Sequence, residues 1–214
     1  MSKDNLQQIK DERELVRILK DLFEESKPSG FKKIFRHTGL STKRFRDLWS
    51  EWWGGDVPPR LEVDLIFVFE DIKNSDRVLL AGVEVELFRD KAKSFCDGLQ
   101  QILSFGLFGF DSLVLWHIFS EEMDNRKIED YVRSTKEIID GFALPVVYFA
   151  TKLIGRDRFE FFAPWSFYSS GSWDASYLLS CLKSCCEGKR NPLLHKQDIE
   201  KRRKTLKILL KIPV

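Results

Sequence analysis

The sequence has few of the features that mark secreted, membrane-spanning or zinc-binding proteins. Its four cysteines, Cys96, Cys181, Cys185 and Cys186, form no Cys-x-x-Cys pair, so we expect reduced, buried thiols rather than disulfides or a zinc site. The nine-residue apolar stretch 142–150 contains a proline and is far shorter than the ~20 residues of a transmembrane helix. The first residues are polar, unlike the apolar centre of a signal peptide. These features predict a cytoplasmic protein with no membrane partner.

Motifs of several enzyme classes are also missing. The sequence contains no glycine-rich phosphate loop, no His-Glu-x-x-His pattern and no internal repeat. Its three histidines are widely separated, and His117 lies in an apolar segment where core packing is the simplest role. We therefore predict neither a Ser-His-Asp nor a Cys-His catalytic site.

Charge is distributed unevenly along the chain. The net charge is only +2, from 35 basic and 33 acidic residues, but residues 31–46 hold six lysines and arginines and no acid. Residues 196–211 hold seven basic residues against two acidic ones. Two basic segments around an acidic middle suit a protein that binds a polyanion at its edges, although two solvated helix faces give the same pattern.

The first quarter of the chain has helical patterning. Apolar residues at three- and four-residue spacing predict an amphipathic helix over 11–25. A second short helix is expected at 31–37, and a third from Ser41 or Thr42 to about residue 52. The pattern is typical of a helix-turn-helix, although helical hairpins with a central glycine are also common. We predict a helical DNA-contact element over residues 1–55.

Beyond the Gly-Gly and Pro-Pro pairs at 54–59, the pattern changes to strands. Consecutive apolar residues in each predicted strand indicate a sheet covered on both faces, which predicts an α/β fold with a mixed sheet flanked by helices. We expect a core domain over 56–170 and C-terminal helices with a basic tail over 171–214. The predicted strands cover 60–69, 77–87, 111–119, 144–151 and 158–163; the predicted helices cover 89–105, 125–140, 173–186 and 197–210.

Three acidic residues lie in the first two of these strands. Asp64 is surrounded by apolar residues, where an unpaired carboxylate is costly. Glu84 and Glu86 are two residues apart and so project from the same face of their strand. If the charged turn at 71–76 makes the strands an antiparallel hairpin, the three acids converge and call for a cation such as Mg²⁺ or Mn²⁺. The alternative is a solvated or salt-bridged face.

This arrangement resembles the PD-(D/E)XK nuclease superfamily, in which a helix leads into an acid-bearing hairpin that is followed by a helix and another strand. The resemblance covers about residues 56–119 and implies a restriction-endonuclease-like fold. It implies that Asp64 and Glu84 ligate the metal with the Val85 carbonyl, and that Gln100 faces the site from the next helix. Glu14 resembles the helical glutamate of some Holliday-junction resolvases, although a solvated helix face also explains it.

The sequence departs from the superfamily at the motif lysine, which is Glu86 here. Some restriction endonucleases of the superfamily also have glutamate at this position, so Glu86 could act as a general base or a second metal ligand. Lys91 or Lys93 could supply the missing ammonium group instead. In the third alternative the site is inactive.

The resemblance implies a Mg²⁺- or Mn²⁺-dependent DNA endonuclease that leaves 5′-phosphate ends, acts as a homodimer and selects structures such as Holliday junctions. An archaeal or archaeal-virus source is expected, with the host cytoplasm as location in the viral case. The alternatives are a catalytically inactive DNA-binding protein with the nuclease fold and an RNA-processing enzyme. The expected DNA-binding residues are Lys32, Lys33, Arg36, Lys43, Arg44, Arg46, Arg202 and Arg203.

Overall fold

A computed structural model describes residues 9–40, 61–72, 77–89, 93–155, 157–164 and 171–213. It confirms the predicted α/β class, because a seven-stranded mixed sheet is flanked by helices. The helices are α1 (Glu12–Ser26), α2 (Leu99–Phe105), α3 (Asn125–Gly141), α4 (Ala175–Gly188) and α5 (Gln197–Leu209). The strands are β1 (Phe31–Gly39), β2 (Glu62–Glu70), β3 (Val78–Phe88), β4 (Ser112–Phe119), β5 (Val146–Ile154), β6 (Arg158–Ala163) and β7 (Trp173–Asp174).

The order of the strands in the sheet is the same as their order in the chain. Strands β1, β2 and β3 are antiparallel neighbours, whereas β4 runs parallel to β3 and β5 parallel to β4. Parallel neighbours need a crossover, and α2 and α3 supply the two crossovers. Within the described residues the elements therefore follow the order α1–β1–β2–β3–α2–β4, with β2 and β3 paired as predicted for a hairpin.

The sheet separates two hydrophobic cores. Helices α1 and α4 pack on one face, where Leu19, Phe67 and Leu178 are buried. On the other face α2, α3 and α5 cover the sheet from β2 to β6, with Ile102, Phe88 and Leu206 buried. Burial on both faces explains the apolar runs in these strands. No helix in the described part of the chain is long and apolar enough to cross a bilayer.

The helix predicted at 31–37 is wrong, because these residues belong to β1. Phe31, Ile34 and Phe35 fit helical spacing, but in the structure Ile34 packs into one core and Phe35 against the other. The strand pairs along β2, with Arg36 opposite Leu65, and these tertiary contacts outweigh the local pattern. The next predicted helix, with Lys43, Arg44 and Arg46, lies outside the described residues.

Two smaller predictions also need correction. The helix expected from residue 89 begins only at Leu99, because Gly98 has a left-handed φ of 77° and residues 95–98 form turns. The four cysteines are free thiols, of which Cys181 and Cys186 are buried as predicted, whereas Cys185 is only partly buried and Cys96 is exposed. The other predicted elements agree with the structure to within a few residues.

A buried ion pair fixes α5 to the sheet. Arg203 donates to Asp111 through Nε at 2.7 Å and through Nη2 at 2.9 Å, and Asp111 also accepts from the Leu80 backbone N–H at 2.7 Å. Gly109 makes the close approach possible, because a Cβ there would lie 2.6 Å from the Arg203 backbone. The C-terminal helix is thus joined to β3 and to the start of β4.

Candidate functional site

The pairing of β2 with β3 brings the predicted acids together. Leu65 lies opposite Val83, so Asp64 is beside Glu84, and Glu86 follows on the same face. These three residues, together with Glu12 of α1, form what we call the acidic cluster. Asp64, Glu84 and Glu86 lie on the face of the sheet that α2 covers, and Glu12 joins them from α1, which packs on the other face.

Asp64 is held by its neighbour strand. Its Oδ2 accepts a hydrogen bond from the Val85 backbone N–H at 2.9 Å. Burial raises the pKa of Asp64 to about 6, while the Val85 hydrogen bond and His37 act in the opposite direction. Asp64 therefore titrates close to neutral pH.

Glu84 is the most buried member of the acidic cluster, with 6% of its surface exposed. Its Oε2 accepts a hydrogen bond from Gln101 Nε2 at 2.8 Å. Burial, followed by the charges of Asp64 and Glu86, raises the pKa of Glu84 to about 9. Without a nearby cation this carboxyl group is protonated at neutral pH.

Lys93 reaches the acidic cluster from the segment ahead of α2. Its Nζ lies 2.8 Å from Glu86 Oε2 and also donates to Glu12 Oε1. Burial lowers the pKa of Lys93, but the two carboxylates outweigh burial and raise it, so the ammonium form is stable. Burial raises the pKa of Glu86, and Lys93 opposes that shift. The Lys93 ammonium group is thus paired directly with Glu86.

Gly98 lets the chain lie close against the acidic cluster. A Cβ at this position would lie 3.1 Å from Cγ of both Glu84 and Glu86, and 2.8 Å from Leu115 Cδ1. The left-handed backbone at Gly98 also disfavours any side chain. Beside it an open cleft of about 460 Å³ is lined by Glu86, Gln101 and residues 96–98.

Two predicted site residues are replaced by close neighbours in the sequence. Gln101 makes the contact with Glu84, whereas Gln100 is exposed in the lining of the cleft. Glu14 faces away from the site and accepts from the Lys10 backbone N–H at 2.7 Å, whereas Glu12 contacts Lys93. Lys91 lies outside the described residues.

Helical spacing in the sequence is enough to predict that Glu12 faces the sheet. Glu12 precedes the buried Leu15 and Val16 by three and four residues, so it lies on the face of α1 that packs on the sheet. Glu14 is about 200° around the helix from Glu12. The buried residues of α1 are therefore enough to place Glu12, and not Glu14, on the side of the helix that faces the sheet.

The predicted DNA-binding residues do not share one surface. Lys33 is exposed on the face of the acidic cluster, whereas Arg36 is exposed on the opposite face of β1. Lys32 pairs with Glu70. Arg203 is buried against Asp111 and so cannot reach DNA, which corrects that prediction. Arg202 donates to the Leu107 carbonyl at 3.1 Å.

Within the described residues, no group of three or more His, Cys, Asp or Glu side chains is placed to hold a metal ion. Comparison with family models, curated proteins and solved structures gives no match to this chain.

Proposed function

We propose that this protein is a divalent-metal-dependent DNA endonuclease whose active site is the acidic cluster. The observation that carries the proposal is the convergence of Asp64, Glu84 and Glu86 with the Lys93 ammonium group on one face of the sheet. The order β2–β3–α2–β4 supports it, because the nuclease resemblance predicts an acid-bearing hairpin followed by a helix and another strand, whereas β1 was not part of that prediction.

The residues present fit a hard divalent cation. Mg²⁺ usually keeps several waters and binds proteins through one or two carboxylates plus substrate phosphates. Asp64 and Glu84 are adjacent carboxylates of this kind, with the Val85 carbonyl as an additional candidate ligand. The raised pKa of Glu84, which comes from burial and from neighbouring acids, indicates a site that lacks positive charge. Bound Mg²⁺ or Mn²⁺ would supply a water of lowered pKa and stabilise negative charge on the phosphate.

The remaining residues orient the acids and handle charge. Gln101 fixes Glu84 through one oxygen and leaves the other available. Glu86 has a raised pKa and lies beside Lys93, so it can accept a proton from a water while the ammonium group stabilises the phosphate charge. In this proposal Lys93 supplies the ammonium group that the motif lysine provides in the nuclease superfamily, although Lys93 lies seven residues after Glu86 in the sequence.

The test is cleavage of supercoiled plasmid and of a synthetic four-way junction with Mg²⁺ or Mn²⁺. Asp64→Asn and Glu84→Gln replace a carboxyl group that can ionise and bind the metal by an amide of nearly the same shape, so each is expected to slow cleavage by about 100-fold or more at unchanged DNA affinity. Glu14→Gln is the matched control, because Glu14 is an acid of α1 outside the cluster. Cleavage by both cluster variants at the wild-type rate would refute the proposal.

A second candidate is a DNA-binding protein that has lost catalysis. It is favoured by the pairing of Lys93 with two carboxylates, Glu12 and Glu86, which neutralise the ammonium charge. In that case the wild type binds DNA in a salt-dependent way but cuts neither substrate with either metal. The same assay therefore separates the two candidates.

A further inference from the structure

Three side chains bind the backbone of the segment that carries Lys93. Tyr131 OH donates to the Lys93 carbonyl at 3.0 Å, and the Thr135 hydroxyl lies 2.9 Å from the Phe95 carbonyl and 2.9 Å from the Tyr131 carbonyl of its own helix, so its one proton is shared between them. His117 Nε2 lies 3.3 Å from the Asp97 carbonyl. The three carbonyl groups belong to alternate residues, so the whole segment 93–97 is held from α3 and β4.

The hydrogen-bonding state of His117 follows from its partners. A carbonyl oxygen only accepts, so Nε2 must carry the proton that bonds to Asp97, and Nδ1 is then an acceptor. Tyr148 OH, 3.0 Å from Nδ1, is the matching donor. Burial lowers the pKa of His117 to about 3, which keeps the ring neutral with a single proton.

These polar groups have segment 93–97 as a common partner. His117 is fully buried and Thr135 is 1% exposed, and buried polar groups are costly unless their hydrogen bonds are satisfied. An apolar residue at any of these positions would pack without that cost. Instead the three side chains converge on one short segment, and Glu86 lies directly beside His117 in the parallel register.

We propose that Tyr131, Thr135 and His117 are positioning residues that hold segment 93–97 so that the Lys93 ammonium group stays on Glu86. This inference rests on the proposed nuclease function of the acidic cluster. A lysine side chain has four rotatable bonds, so its tip is placed accurately only if its backbone is fixed. An error of about 1 Å in such a group can cost on the order of 100-fold in rate.

The first experiment measures the position of Lys93 without any need for activity. Competitive acetylation with acetic anhydride, read by mass spectrometry, reports how accessible and how unprotonated each lysine is. Lys93 is expected to react slowly in the wild type, and about threefold to tenfold faster in Tyr131→Phe and Thr135→Val, since each variant loses one hydrogen bond. Ser134→Ala is the control, because the Ser134 hydroxyl bonds within α3 to the Asp130 carbonyl.

The second experiment measures cleavage kinetics of the same variants. Tyr131→Phe and Thr135→Val are expected to lower kcat by about tenfold with little change in KM, and Thr135→Ser is expected to restore it. Unchanged Lys93 reactivity in both variants would overturn the inference, whether or not the protein cuts DNA. Faster acetylation with unchanged kcat would also overturn it. A wild type that cuts nothing refutes the nuclease proposal, and the acetylation result then still decides whether the hydroxyl groups hold Lys93.

Discussion

At the scale of single residues, Glu84 combines deep burial with neighbouring acids. The pKa of this carboxyl group is raised from 4.5 to about 9, first by burial and then by Asp64 and Glu86. Between these two values the unfolded chain loses its proton while the folded protein keeps it. The free energy of unfolding must therefore fall as the pH rises through this window. The acidic cluster costs stability at neutral pH, as expected for a site shaped by function rather than by folding.

Glu84→Gln tests this cost directly. The amide keeps the shape and the contact with Gln101 but cannot ionise, so the variant is expected to be more stable than the wild type near pH 8 by about 1–3 kcal/mol. Near pH 4 both side chains are neutral, and the two proteins are expected to unfold alike. Thermal or urea unfolding at both pH values gives the comparison.

Glu122→Gln, on an exposed turn, is the control and should change stability little at either pH. Added MgCl₂ is expected to narrow the difference at pH 8, because a cation next to Glu84 lowers its pKa. A Glu84→Gln variant that is less stable than the wild type at pH 8 would contradict the conclusion that the Glu84 carboxyl group lowers the free energy of unfolding at this pH.

At the scale of elements, the sequence predicts most strands and helices because each buries a continuous apolar run or stripe. The shared face of Glu84 and Glu86 follows from their two-residue spacing, and the approach of Asp64 follows from the antiparallel hairpin that the charged turn at 71–76 predicts. β1 could not be recognised, because Phe31, Ile34 and Phe35 fit a helix as well as a strand and only pairing with β2 decides between them. The contact of Lys93 with Glu86 could not be predicted from the sequence either, because it depends on how the segment ahead of α2 folds over the sheet.

Among the contacts between elements, the ion pair that attaches α5 to the sheet gives a clear prediction for thermal stability. Arg203→Met leaves the buried Asp111 carboxylate without its cation, which typically costs about 3–5 kcal/mol and here about 10 °C in Tm. Lys204→Met, one residue further along α5 and exposed, is the matched control and should leave Tm nearly unchanged. Equal melting of the two variants would show that the ion pair does not hold the helix.

At the scale of the whole molecule, β1 divides its basic residues between two faces. Lys33 shares a face with the acidic cluster, and its Nζ lies 4.5 Å from the centre of the Phe35 ring. Arg36 projects from the face that α1 covers. DNA that reaches the acidic cluster would therefore meet Lys33 and not Arg36.

The homodimer remains a proposal, which light scattering of the purified protein with and without a four-way junction can test.

This division predicts different effects of two similar variants on DNA binding. Lys33→Ala is expected to weaken binding to all DNA sequences and to reduce the slope of log affinity against log salt by about 1. Arg36→Ala removes an equally exposed charge from the same strand and is expected to leave the slope nearly unchanged. Titrations at several salt concentrations measure both slopes, and equal slopes in the two variants would rule out the proposed binding face.

The ion pair between Asp111 and Arg203 also has a consequence for the order of folding. Its two residues are 92 positions apart, so their contact closes a long loop and carries a large entropic cost. Residues 30 to 163 include six of the strands and can pair before α5 arrives. Of the native hydrogen bonds of the Asp111 carboxylate, only the one from the Leu80 backbone N–H can form without α5. We therefore expect docking of α5 to close the β3–β4 end of the sheet late in folding, and we predict that the last refolding phase is sensitive to residue 203.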